Sequence, residues 1–143
     1  MRKIFALATF LFAVMISSTA LAANWVNIDS YKLESSTSNT YVDKDSIKRG
    51  IESKQFNISR SDGCSAIVKT EFIDNNTTIT IIFLVGFIEE NGKYKYCMLD
   101  ELDDNGNIKP SEDTKAEFAE VKADGSNGKI WPIVLQFVKD NLK

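Results

Sequence analysis

The run Thr77-Thr78-Ile79-Thr80-Ile81-Ile82-Phe83-Leu84-Val85, followed closely by Asn91-Gly92, constrains the fold more than any other feature of this chain. Nine consecutive residues dense in β-branched and aromatic side chains favour an extended strand. Asn-Gly tolerates positive φ at both positions, as a two-residue type I′ hairpin turn requires. That turn fixes a register. Glu90 faces Lys93, Phe87 faces Tyr96, Val85 faces Met98 and Ile81 faces Leu102. Because side chains alternate along a strand, the last three pairs share one apolar face, which is expected to be covered. The opposite face carries Ile88 with Lys95, Leu84 with Leu99 and Ile82 with Glu101, a mixed set expected to be partly wet.

Upstream, Ser65 to Ile73 reads as a strand turned by Asp74-Asn75-Asn76. Lys54 to Arg60 is expected to precede it across the turn Ser61-Asp62-Gly63. Thr40 to Asp43 and Trp25 to Asp29 are shorter strand candidates separated by a Ser/Thr-rich loop, and 45–50 reads as a turn. The total is five or six strands in up-and-down order. The period changes at the C-terminus. Apolar residues at 130, 131, 133, 134, 135, 137, 138 and 142 form a wide helical stripe. Pro132 fits only in the first turn of such a helix, which places its start near Trp131, with Ser126 or Asn127 as cap. A second helix is expected from Ser111 to Val121. The fold class is therefore α+β, a single antiparallel sheet with a C-terminal helix packed on its apolar face.

Residues 1–23 have the form of an export signal. Arg2 and Lys3 precede the apolar run Ile4 to Ile16, and Ala20-Leu21-Ala22 supplies a small-x-small cleavage pattern. Residues 24–143 then form one secreted domain of about 120 residues. No cysteine stands at the cleavage site after the apolar run, so no lipid anchor is expected, and no later segment is long enough to span a bilayer as a helix. Loss of Arg2 and Lys3 takes the formal charge from −3 to −5. That acidity argues against nucleic acid and anionic lipid surfaces as partners. The expected location is secreted or periplasmic.

In an oxidising compartment the two cysteines, Cys64 and Cys97, are expected to form a disulfide. The hairpin register sets a condition on it. With Cys64 and Cys97 on strands flanking a common neighbour, two strand spacings separate them by about 9.6 Å. A bridge requires Cα atoms within about 7 Å. Cys64 must therefore sit where the chain bends over, or the strand order must differ from a meander.

The chain contains no histidine, which removes Ser-His-Asp and Cys-His catalysis and the histidine zinc sites. No residue is identified as catalytic, and no enzyme activity, metal or cofactor is expected. Glu101 to Glu112 matches part of an EF-hand loop, with oxygen residues at its first, third, fifth and twelfth positions and Gly106 at the sixth. Lys109 at the ninth position and a strand leading in oppose that reading, and the Asp-Asn-Gly sequence reads instead as a turn.

The start Asn24-Trp25-Val26 and the block Thr40-Tyr41-Val42-Asp43-Lys44-Asp45-Ser46-Ile47-Lys48-Arg49 resemble the opening of the bacterial surface-adhesin protein E family. Asp104-Asn105-Gly106-Asn107 and the Gly125-Ser126 approach to a terminal helix are similar to later features of that family. The resemblance implies an antiparallel sheet with a C-terminal helix and a surface that binds extracellular-matrix proteins. On that basis the expected function is an exported protein-binding module, with Lys48 and Arg49 as contact residues for an unidentified protein partner. An exposed sheet edge or second face could also pair two copies into a homodimer. The alternative is a periplasmic inhibitor or small-ligand carrier. A broad exposed patch with no deep pocket would favour the first, and a closed apolar cavity the second.

Overall fold

A computed structural model of the protein describes residues 23–143 apart from Thr114 and Asn127. Residues 1–22, all but the last residue of the expected export signal, lie outside them. Among the described residues the chain forms β1 (Trp25–Leu33), β2 (Ser36–Asp43), a 3-10 turn (Lys44–Ser46), β3 (Lys48–Ser53), β4 (Ile58–Asp74), β5 (Thr77–Glu90), β6 (Lys93–Leu102), β7 (Ala119–Glu120) and the helix α1 (Ile130–Asp140). The strands make one antiparallel sheet of order β1-β2-β4-β5-β6-β7, with β3 also paired to β4. The sheet has seven strands rather than five or six. No helix among the described residues is long and apolar enough to cross a membrane.

The extra strand is β7, where a helix was expected, and β3 takes up residues 48–50, which were expected to belong to a turn. Ser61-Asp62-Gly63 does not reverse the chain. It is an irregularity inside the 17-residue β4, where the partners step from Arg49↔Cys64 to Ile51↔Arg60. Gly63 and Gly50 both hold φ +80 there, a conformation open to glycine without steric penalty. Residues 54–57, expected as strand, form the turn between β3 and β4 instead. The bend carries Ile51 across the sheet against Gly86 and Leu99. Ile51, Ile88, Cys97 and Leu99 then form a second buried core, flanked by Phe56, Leu84 and Phe118. The face expected to be partly wet is covered. The segment 111–118, expected as helix, has no helical residue among those described, and it leads into β7 beside β6.

The β5–β6 hairpin begins in the expected register. Asn91 and Gly92 both have positive φ, and Glu90↔Lys93, Phe87↔Tyr96 and Val85↔Met98 are opposite pairs. A bulge then adds one residue to β6, so that Phe83 faces Glu101 and Ile82 faces Leu102. Leu102 thereby moves to the face opposite Ile81. The bulge also places buried Asp100 under the β3–β4 turn. Its Oδ1 accepts from the Ser53 hydroxyl (2.5 Å) and the Gln55 amide (3.3 Å), and Oδ2 accepts from the Lys54 amide (3.3 Å).

α1 lies on the other face. Val134, Leu135 and Val138 pack with Val42, Ala66, Val68, Val85 and Phe87 in the main core. Its N-cap is Lys129, with no side-chain cap bond. Ser126 therefore does not cap it, and Asn127 is outside the described residues. Trp131 stacks on Tyr96, with centroids 4.2 Å apart. That contact ends the helix partway along the sheet and leaves the rest of the face open.

Candidate functional site

Beyond the first turn of α1, the uncovered half of the sheet face forms an apolar trough of about 520 Å³. Strand alternation builds it. Tyr31↔Ser38, Ser38↔Phe72, Phe72↔Ile79 and Thr70↔Ile81 are opposite pairs, so these residues share the α1 face. Phe72, Ile81 and Phe83 make the floor, Tyr31 and Met98 the walls, and Trp131 with Ile130 the closed end. Tyr31 on β1 and Met98 on β6 stand four strand spacings apart, about 19 Å across a flat sheet. Both bound this one space, so the sheet curls around it.

Large apolar side chains concentrate here. Tyr31 is 49% exposed, Phe72 47%, Met98 47%, Leu33 55% and Ile79 56%, all on this face by register. Solvated apolar area so concentrated in one place makes this face the candidate site. The polar complement is small. Ser38, Thr40 and Thr70 contribute hydroxyls, and Asp29 and Lys129 contribute charge. Lys129 Nζ lies 5.9 Å from the Tyr31 ring centroid. Among the described residues neither Asp29 nor Lys129 has a salt-bridge partner within 4.0 Å.

The residues expected as sites fall elsewhere. Lys48 and Arg49 begin β3 as exposed consecutive strand residues, so their side chains leave on opposite faces. Lys48 lies 4.0 Å from Glu52. Arg49 borders a cleft of about 340 Å³ that also includes Lys139, Cys64 and Phe87.

Cys64 and Cys97 are free and buried, so the expected disulfide is not formed. Cys64 belongs to the core under α1 and Cys97 to the second core, on opposite faces of the sheet. They also lie on strands β4 and β6, with β5 between them. Burial raises the pKa of both thiols, against the nearby Arg49 and Lys139 charges in the case of Cys64.

Within 101–112, Glu101 and Leu102 end β6, residues 104–106 turn the chain, and Ile108 bridges back to Leu102. Glu101, at the would-be first ligand position, is paired with Lys109 at 2.9 Å. Asp103 Oδ1 accepts the Asn105 and Asn107 amides at 2.9 Å each. Those amides, chiefly that of Asn107, hold its pKa below the usual value. Among the described residues no group of three or more acidic or cysteine side chains converges to hold a metal.

The aromatic residues that carry the family resemblance have a structural partner. Lys69 Nζ lies 4.6 Å from the ring centroids of both Trp25 and Tyr41, and 3.5 Å from Glu71. Trp131 packs against the main core and also borders the trough. The trough itself escaped the sequence reading, although the period-2 pattern of β5 was its signal. No family model, curated protein or solved structure matches the chain.

Proposed function

We propose that this protein is an exported binding protein whose trough takes up an apolar ligand, the carrier reading of the sequence. The single observation that carries it is the convergence of Phe72, Ile81, Phe83, Met98 and Trp131 on one concave space of about 520 Å³. Small-molecule sites are typically clefts of about 300–1,000 Å³ with apolar walls and a few polar groups. A second reading, binding of an apolar segment of another protein, is favoured by Leu33 and Ile79, which extend the exposed apolar surface past the trough. The adhesive role implied by the family resemblance belongs to that second reading.

The experiment is titration of the purified mature protein with an apolar fluorescent naphthylamine probe. Binding at one site, weakened at least tenfold by Met98→Lys and by Phe72→Asp, is the expected result. Both side chains are half exposed, so the fold tolerates these changes. Binding unaltered by either substitution would sink the carrier reading. Cross-linking to envelope proteins that Leu33→Asp abolishes, with no uptake of the probe, would favour the second.

A further inference from the structure

The carrier reading leaves the polar end of the ligand open, and two charges bear on it. Asp29 and Lys129 both border the trough, and neither is neutralised by a salt bridge among the described residues. Lys129 stands at the start of α1, near the Tyr31 ring. Asp29 is on β1, two residues before Tyr31 and opposite Thr40. An anion on β1 and a cation near the β1 residue Tyr31 thus border a space whose other polar groups are the Ser38, Thr40 and Thr70 hydroxyls.

We infer that the trough binds a single-chain amphiphile with a zwitterionic head group, its apolar chain along Phe72, Ile81 and Phe83. The head's anionic group would meet Lys129 and its cationic group Asp29. A purely anionic amphiphile would satisfy Lys129 but bring a second negative charge to Asp29. A purely cationic one would do the reverse. An uncharged chain would use neither. Opposite charges bordering one trough therefore select a dipolar head, the complement of their own arrangement. The inference rests on the carrier reading and adds the chemistry of the head.

The test compares dodecanoyl lysophosphatidylethanolamine with dodecanoyl lysophosphatidylglycerol, by calorimetry and native mass spectrometry below their micelle concentrations. The two probes share chain and phosphate and differ in the ammonium group. The ethanolamine probe is expected to bind about fivefold tighter, the scale of one partly exposed ion pair. Asp29→Asn should remove that preference while leaving the glycerol probe bound. Lys129→Met should weaken both. Equal affinity for the two probes would overturn the zwitterion inference and leave the carrier reading standing. Binding of neither would overturn the carrier reading itself. A stable dimer in analytical ultracentrifugation, dispersed by Phe72→Asp and closed to both probes, would assign the trough to a second copy and overturn the inference as well.

Discussion

The Tyr96 and Trp131 rings stack with centroids 4.2 Å apart and planes 21° from parallel. Tyr96 comes from β6 and Trp131 from the first turn of α1, so one contact fixes where the helix begins over the sheet. It also closes the end of the trough, since Trp131 is part of the trough wall. Trp131→Ala is expected to cost about 3 kcal/mol, the range for a large aromatic lost from a packed site. Chemical denaturation measures this. A double-mutant cycle with Tyr96→Ala should return a coupling of about 1 kcal/mol for the ring pair. A coupling near zero would mean that the stack does not hold the helix.

Asp100 organises the β3–β4 turn from beneath. Asp100→Ala removes the acceptor of the Ser53 hydroxyl and of the Lys54 and Gln55 amides. Leaving buried donors unpaired costs about 1–3 kcal/mol, so a loss of about 2 kcal/mol is expected. Amide hydrogen exchange should rise first at residues 53–56. Uniform exchange across the chain would contradict this local role.

Two glycines separate backbone from side-chain constraint. A Cβ at Gly63 would collide with the Phe87 carbonyl oxygen, at a φ of +80 that L-residues rarely adopt. At Gly86 it would meet the Ile51 side chain at 2.9 Å, and that neighbour can be trimmed. Gly63→Ala should therefore destabilise by more than about 2 kcal/mol, and Gly86→Ala by about 1–2 kcal/mol. Ile51→Val is expected to relieve the second but not the first. Thermal unfolding of the four variants decides it.

The free thiols give a pH dependence. Burial raises both above the ordinary value of 9.0. Below that pH, folded and unfolded chains both hold the thiol protons, and stability is unaffected by them. As pH rises past it, the unfolded chain releases protons first, so stability falls until the folded-state pKa is reached. A Cys64→Ser, Cys97→Ser variant should show a shallower decline above pH 9 in the same denaturation series. In the native protein neither thiol should react with an aromatic disulfide reagent on the time scale of free cysteine, and both should react after unfolding. An intact mass two hydrogens lower would reveal a bridge instead.

Calcium should leave the unfolding midpoint unchanged. Lys109 occupies Glu101, and backbone amides occupy Asp103. A rise in midpoint with added calcium, abolished by Asp103→Asn, would restore the cation-loop reading.

Much of the sheet was legible because strand alternation and turn chemistry are local. Asn91-Gly92 fixed the near end of the β5–β6 register, and the stripe from Ile130 marked the helix. The errors share a cause. Ser61-Asp62-Gly63 contains the residues of a turn, but the same positive φ also serves a bulge inside a long strand. Only the packing of Ile51 against Gly86 distinguishes the two. The helix expected over 111–121 lost to an extended path that pairs Lys95 with Glu120 and Tyr96 with Ala119. The trough was visible in β5 only as the alternate apolar positions Ile79, Ile81 and Phe83, because its walls come from strands distant in sequence.

The sequence by itself determined the α+β class, the hairpin at Asn91-Gly92, the amphipathic terminal helix and the absence of histidine chemistry. Each follows from residue type and spacing within a few positions. Tertiary structure alone decided that the second face is buried, that Cys64 and Cys97 lie on opposite sides of the sheet, and that α1 stops short of Phe72 and Met98. Those outcomes depend on where a bulge falls and which rings meet across the fold. They are packing choices among residues dozens of positions apart, and local pattern does not encode them.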